Sequence, residues 1–122
     1  MPFIHIQSLP LRGEPVYPVI VREISATFSE ELDIDERHVT VTWTHFRPGG
    51  GTTGDWFDPG AHQALVNLII PDYNEPEDIQ TMLSCAVACV SAAARIPLAS
   101  IFGRAVLARS GQVFEEGEIV EW

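Results

Sequence analysis

The chain has 122 residues, 46% of them hydrophobic and 20% charged. That is room and apolar material for one domain that buries about two-thirds of its unfolded surface, and too little charge for bulk disorder. Seventeen acids against seven bases give a net charge of −10, which repels nucleic-acid phosphate and anionic lipid and excludes those partners.

All seven bases are arginine, so amine chemistry is left to the chain's own N-terminus. Cys85 and Cys89 sit four apart in an Ala-rich run and read as small buried hydrophobes on one side of a helix. His5, His38, His45 and His62 have no metal-ligand spacing, so no metal site is expected. No apolar run approaches a membrane span, and no basic-then-apolar leader opens the chain, so a soluble cytoplasmic domain is expected.

The first nine residues predict a strand, with Phe3, Ile4 and Ile6 as β-formers and Pro10 closing the run. A helix is predicted over 15–32. Tyr17, Ile20, Val21, Ile24, Phe28 and Leu32 form its apolar face, and Pro15 and Pro18 suit its first turn. Residues 38–46 alternate: Val39, Val41 and Trp43 point one way, and Thr40, Thr42 and Thr44 the other. The stretch 47–60, rich in glycine and carrying Trp56 and Phe57, reads as a hairpin-like loop. It lacks the Gly-Lys-Ser/Thr ending of a phosphate loop.

Residues 64–71 are nearly all apolar, as in a strand buried on both faces. Asn74 is placed to cap a second helix, with Pro76 in its first turn and Pro97 beyond its end. A long strand over 101–108 and two short ones at 113–114 and 119–120 complete the order. A shift of 62 residues lays Ile24 on Ala86, Phe28 on Val90, Leu32 on Ala94, Ile34 on Ile96 and Val39 on Ile101. The pattern implies an α/β (α+β sandwich) domain over 1–122. It contains two tandem βαβ units, about 2–46 and 64–108, in a four-stranded sheet with both helices on one face. The other face is left partly bare, which favours oligomerisation.

The opening Met1-Pro2-Phe3-Ile4-His5-Ile6, the run from Val21 through Leu32 into His38-Val39-Thr40-Val41, and the ending Gly111 to Glu118 resemble the tautomerase superfamily. That is the group of 4-oxalocrotonate tautomerase and macrophage migration inhibitory factor; the duplicated arrangement resembles its long members. The resemblance implies a homotrimeric, cofactor-independent isomerase. Pro2, freed by removal of Met1, would be the catalytic base and then acid, moving a proton in a small 2-oxo or enol acid. An amine kept neutral by desolvation or a nearby cation can do this at neutral pH. The same resemblance makes Arg12 a carboxylate-binding cation and Phe114 an apolar wall next to the proline, while Arg104, an arginine in an otherwise apolar strand with Phe102 on the same face, wants an anionic partner that the substrate carboxylate could supply. Arg104 has an internal carboxylate as its alternative partner.

Thr40 stands where short members carry a second arginine, and Asp72 where the dehalogenase and decarboxylase branches carry theirs. Both argue against those substrate preferences. Arg47, next to the glycine-rich loop, is a candidate to reach a neighbouring subunit's site. The alternatives are a non-catalytic small-molecule- or protein-binding trimer of the same fold, and an unrelated ferredoxin-like ligand-binding domain.

Overall fold

A computed structural model describes residues 1–47 and 63–122. Strand β1 (Phe3–Ser8) leads through helix α1 (Tyr17–Leu32) and a 3-10 turn (Glu36–His38) to β2 (Thr40–His45). Strand β3 (Ala64–Pro71) leads through α2 (Pro76–Ala94) and a second 3-10 turn (Leu98–Ser100) to β4 (Ile101–Ala108). A hairpin of β5 (Val113–Glu115) and β6 (Glu118–Val120) follows. The predicted loop with Trp56 and Phe57 lies outside the described residues.

The strand order is β2-β1-β3-β4. β1 runs parallel to β2 and β3 parallel to β4, as a βαβ crossover requires, while β1 and β3 are antiparallel at the centre. Period-2 alternation sends Ile4, Ile6, Val66, Leu68 and Ile70 to one face. There they are buried with Ile24 and Phe28 of α1 and Ala86 and Val90 of α2. Ser8 is fully buried on that same face. Its hydroxyl accepts from the Trp43 indole N–H at 2.9 Å and donates to the Leu9 carbonyl at 2.7 Å, so no polar atom of it is orphaned.

The two units repeat in detail at a spacing of 62. α1 ends on Asp33 and α2 on Arg95, both left-handed. The Ile34 N–H reaches the Ser29 carbonyl at 2.9 Å, and the Ile96 N–H reaches the Ser91 carbonyl at 3.2 Å. The 3-10 turns at 36–38 and 98–100 follow in step.

Three local expectations are corrected. α1 starts at Tyr17, not at residue 15: Val16 occupies the cap position, and only Pro18 sits in the first turn. Asn74 does not cap α2; its Nδ2 donates to the Pro71 carbonyl at 2.8 Å, and Glu75 is the N-cap residue. Pro76 explains this, because the residue before a proline is held extended, and Glu75 has ψ 151°. β3 is buried on its helix face alone; Leu65, Asn67 and Ile69 on the other face are half-buried, with no layer over them among the described residues.

Candidate functional site

Pro2 precedes β1 and is buried. Its carbonyl accepts from the Thr40 N–H at 3.1 Å, which ties the start of the chain to β2. On one side of it lies a cavity of about 200 Å³. Phe3, Thr40 and Ile69 come from the open sheet face, and Val113, Phe114 and Glu115 from the hairpin. The second unit's hairpin therefore walls the first unit's N-terminus. On the other side is a cavity of about 530 Å³, under the same hairpin and between the ends of the helices. Ile34, Ile70, Pro71 and Met82 give it apolar walls, and His38, Asn74, Glu115 and Glu121 bring polar groups.

Met1, Pro2 and Glu115 border both cavities. The Met1 ammonium donates to Glu115 Oε1 at 2.9 Å, so an amine and a carboxylate meet at the junction. Trp122 closes the outer end of the larger cavity. Its indole N–H donates to Asp72 Oδ1 at 2.9 Å, its backbone N–H donates to Ser110 Oγ at 2.7 Å, and its ring meets Tyr73 edge-on at 6.0 Å. Asp72 therefore serves to position an aromatic wall.

Of the five residues singled out from the sequence, Pro2 and Phe114 come together in the smaller cavity. Phe114 is 70% exposed, so its ring offers an apolar surface that the single chain leaves open. Arg104 lies on the same sheet face as the mouth of that cavity, one row away. Thr42, His5, Asn67 and Arg104 align across the four strands, next to the row of Thr40, Phe3, Ile69 and Val106. Lattice spacings put the Arg104 Cα about 8 Å from that of Ile69.

The Arg104 Nε donates to Asn67 Oδ1 at 2.6 Å. Its partner is thus a neutral amide, where an internal carboxylate was one of two expectations, and its charge meets no carboxylate among the described residues. Phe102 falls in the next row again, paired with Leu65 and further from Pro2. Arg12 is exposed in the turn past the opposite end of β1, a strand about 20 Å long. No arginine lines either cavity among the described residues. Arg47 is exposed just after β2.

Glu115, Glu121, Tyr73 and Trp122 were not singled out from the sequence. The available signal was the hairpin itself: a segment that brings Phe114 to Pro2 also brings the residues on either side. Among the described residues no group of three or more His, Cys, Asp or Glu side chains is placed to hold a metal ion. No helix among them is long and apolar enough to cross a membrane.

No protein-family model and no curated protein matches the sequence. Solved structures do match the fold. A fused 4-OT described as an asymmetric trimer aligns over 97% of this chain and 95% of its own, with a TM-score of 0.79 and 12% identity. Pt0534, solved after inactivation by 2-oxo-3-pentynoate, aligns over 98% and 96%, with a TM-score of 0.78 and 13% identity. Malonate semialdehyde decarboxylase aligns over 96% and 92%, with a TM-score of 0.70 and 11% identity. The chain has the tautomerase-superfamily fold, in the arrangement of the fused 4-OT proteins.

Proposed function

We propose that this chain is a cytoplasmic, cofactor-independent tautomerase in which Pro2, once Met1 is removed, is the general base and then the general acid. The observation that carries the reading is the burial of Pro2 where two cavities meet, against the wall formed by Val113 and Phe114. Removal of Met1 converts the Pro2 amide nitrogen into a secondary amine held in a rigid ring. That amine takes a proton from carbon next to a carbonyl and returns it at the far end of the enol system. Phe3, Ile69, Val113 and Phe114 exclude water and favour the neutral amine, whereas the Glu115 carboxylate favours the ammonium. The two influences oppose each other at one nitrogen, which suits a group that must both accept and release a proton.

The substrate is a small 2-oxo or enol acid. Its carboxylate and the developing enolate need a cation, and Arg104 is the candidate on the open sheet face, with Arg12 contributed from another copy. Such a site is completed in a homotrimer; the fused 4-OT neighbour is described as an asymmetric trimer. A second reading is a non-catalytic binding trimer: a retained Met1 would leave the Pro2 nitrogen acylated and without a basic lone pair.

Two measurements on the purified protein separate the readings. Ketonisation of phenylenolpyruvate is expected to exceed the buffer rate and to fall about 100-fold or more in Pro2→Ala with the fold intact by circular dichroism. Peptide mapping after treatment with 2-oxo-3-pentynoate, the inactivator of the Pt0534 neighbour, is expected to find the adduct on Pro2. Unchanged turnover in the variant, together with an unmodified N-terminus, overturns the catalytic reading.

A further inference from the structure

The larger cavity differs from the smaller one in charge and in shape. Two carboxylates, Glu115 and Glu121, line it, and no arginine does among the described residues. Glu115 already engages an ammonium, that of Met1, at 2.9 Å. Asp72 holds Trp122 edge-on to Tyr73 beside it, and both rings line the cavity. Carboxylates with aromatic rings are the chemistry that recognises a cation on a short apolar body: the acids supply attraction and the ring faces their quadrupole. An anionic group entering the same space meets like charge, with the chain's net −10 behind it.

The smaller cavity shares Glu115 with it, and the sheet face one row from its mouth carries Arg104, whose charge meets no carboxylate among the described residues. Pro2 therefore lies between the cavity that carries Glu121 and the sheet face that carries Arg104. On this basis we propose that the substrate of the Pro2 site is a 2-oxo acid whose distal end bears an ammonium group on an aryl-sized body, with that end seated in the larger cavity against Glu121, Tyr73 and Trp122. The inference rests on the tautomerase reading for its reacting end and on the cavity alone for its distal end. It departs from a dicarboxylate substrate, for which the distal group would be a second anion. Removal of Met1 would vacate the space its ammonium and side chain fill beside Glu115 and would move the terminal amine back to Pro2.

The test varies only the distal group. Phenylpyruvate, 4-(aminomethyl)phenylpyruvate and 4-carboxyphenylpyruvate are compared as substrates of the native protein and of Glu121→Gln. The expected order of KM is aminomethyl lowest and carboxy highest, with about a tenfold span between them, and with the span narrowed in Glu121→Gln. In parallel, binding of benzylammonium and of benzoate is followed by saturation-transfer NMR and by competition with the aminomethyl compound. This arm does not require turnover, so a protein that fails to tautomerise any of the three still reports the charge preference of the cavity. Tighter binding of benzylammonium, weakened in Glu121→Gln, supports the proposal whether or not Pro2 is catalytic. Benzoate binding as tightly as benzylammonium, or no binding of benzylammonium, overturns it.

Discussion

Cys89 of α2 is buried in the core, and its thiol is pushed up to about 12. Burial is the main cause, and the neighbouring Cys85 and the Glu31 charge add to it. The Cys85 thiol is raised too, again chiefly by burial. The consequence for stability has a definite sign. The unfolded thiol ionises near its ordinary value of 9.0, while the folded one stays protonated to about 12. The folded state therefore binds the extra proton in that window. The contribution of Cys89 is full below pH 9 and is lost as pH rises toward 12. Urea midpoints measured from neutral pH upward are expected to fall more steeply above pH 9 in the native protein than in Cys89→Ala. Iodoacetamide at mildly alkaline pH is expected to leave Cys89 unmodified until urea unfolds the chain, since the thiolate is the nucleophile. Parallel pH profiles for the two proteins would remove burial of the thiol as the cause.

At the scale of elements, the approach of α2 to β4 depends on one glycine. A Cβ built on Gly103 would lie 2.7 Å from Val87 Cγ2 and 3.5 Å from Leu83 Cδ1. Valine is stiff at χ1, so its methyl cannot swing clear without moving the helix. Gly103→Ala is expected to cost about 1–3 kcal/mol by overpacking, read as a lower thermal midpoint. An unchanged midpoint would mean that α2 slides without cost.

The strands and helices were legible because each has one dominant period and one buried face: Ile4 and Ile6, Ile24 and Phe28, Ala86 and Val90. The start of α2 was not, because Asn74 looks like a cap until Pro76 is seen to hold Glu75 extended. The site was half legible for a similar reason. Pro2 and Phe114 carry local signals, but Glu115, Tyr73 and Trp122 acquire meaning only when the hairpin folds back 114 residues in sequence to meet Met1. Arg104 carried a signal for charge but none for its partner, since Asn67 comes from a strand 37 residues away.

For the whole molecule, the decisive feature is that one side of the sheet has no covering layer among the described residues. Phe3, Leu65 and Ile69 are only half-buried there, and Val106 is 37% and Phe102 48% exposed. A polar row crosses this face, but it is satisfied within the sheet: His5 Nδ1 bonds Thr42 Oγ1 at 2.6 Å and Arg104 bonds Asn67 at 2.6 Å. Its side chains are thus already paired, while Phe3, Ile69 and Val106 in the adjoining row keep apolar surface that a second copy can cover. A trimer built through this face would also bring copies close to the mouth of each smaller cavity, where Phe114 stands exposed. Val106 lies in the row that leads to that mouth and touches no part of the proposed proline chemistry. Val106→Glu places a carboxylate on the covered surface, a burial that costs several kcal/mol unless a partner is found. Light scattering after size exclusion is expected to give three times the chain mass for the native protein and the mass of one chain for Val106→Glu, with helical circular dichroism retained. A variant that stays trimeric would put the interface on another surface, and the arginine that meets the substrate would then have to be sought away from the open sheet face.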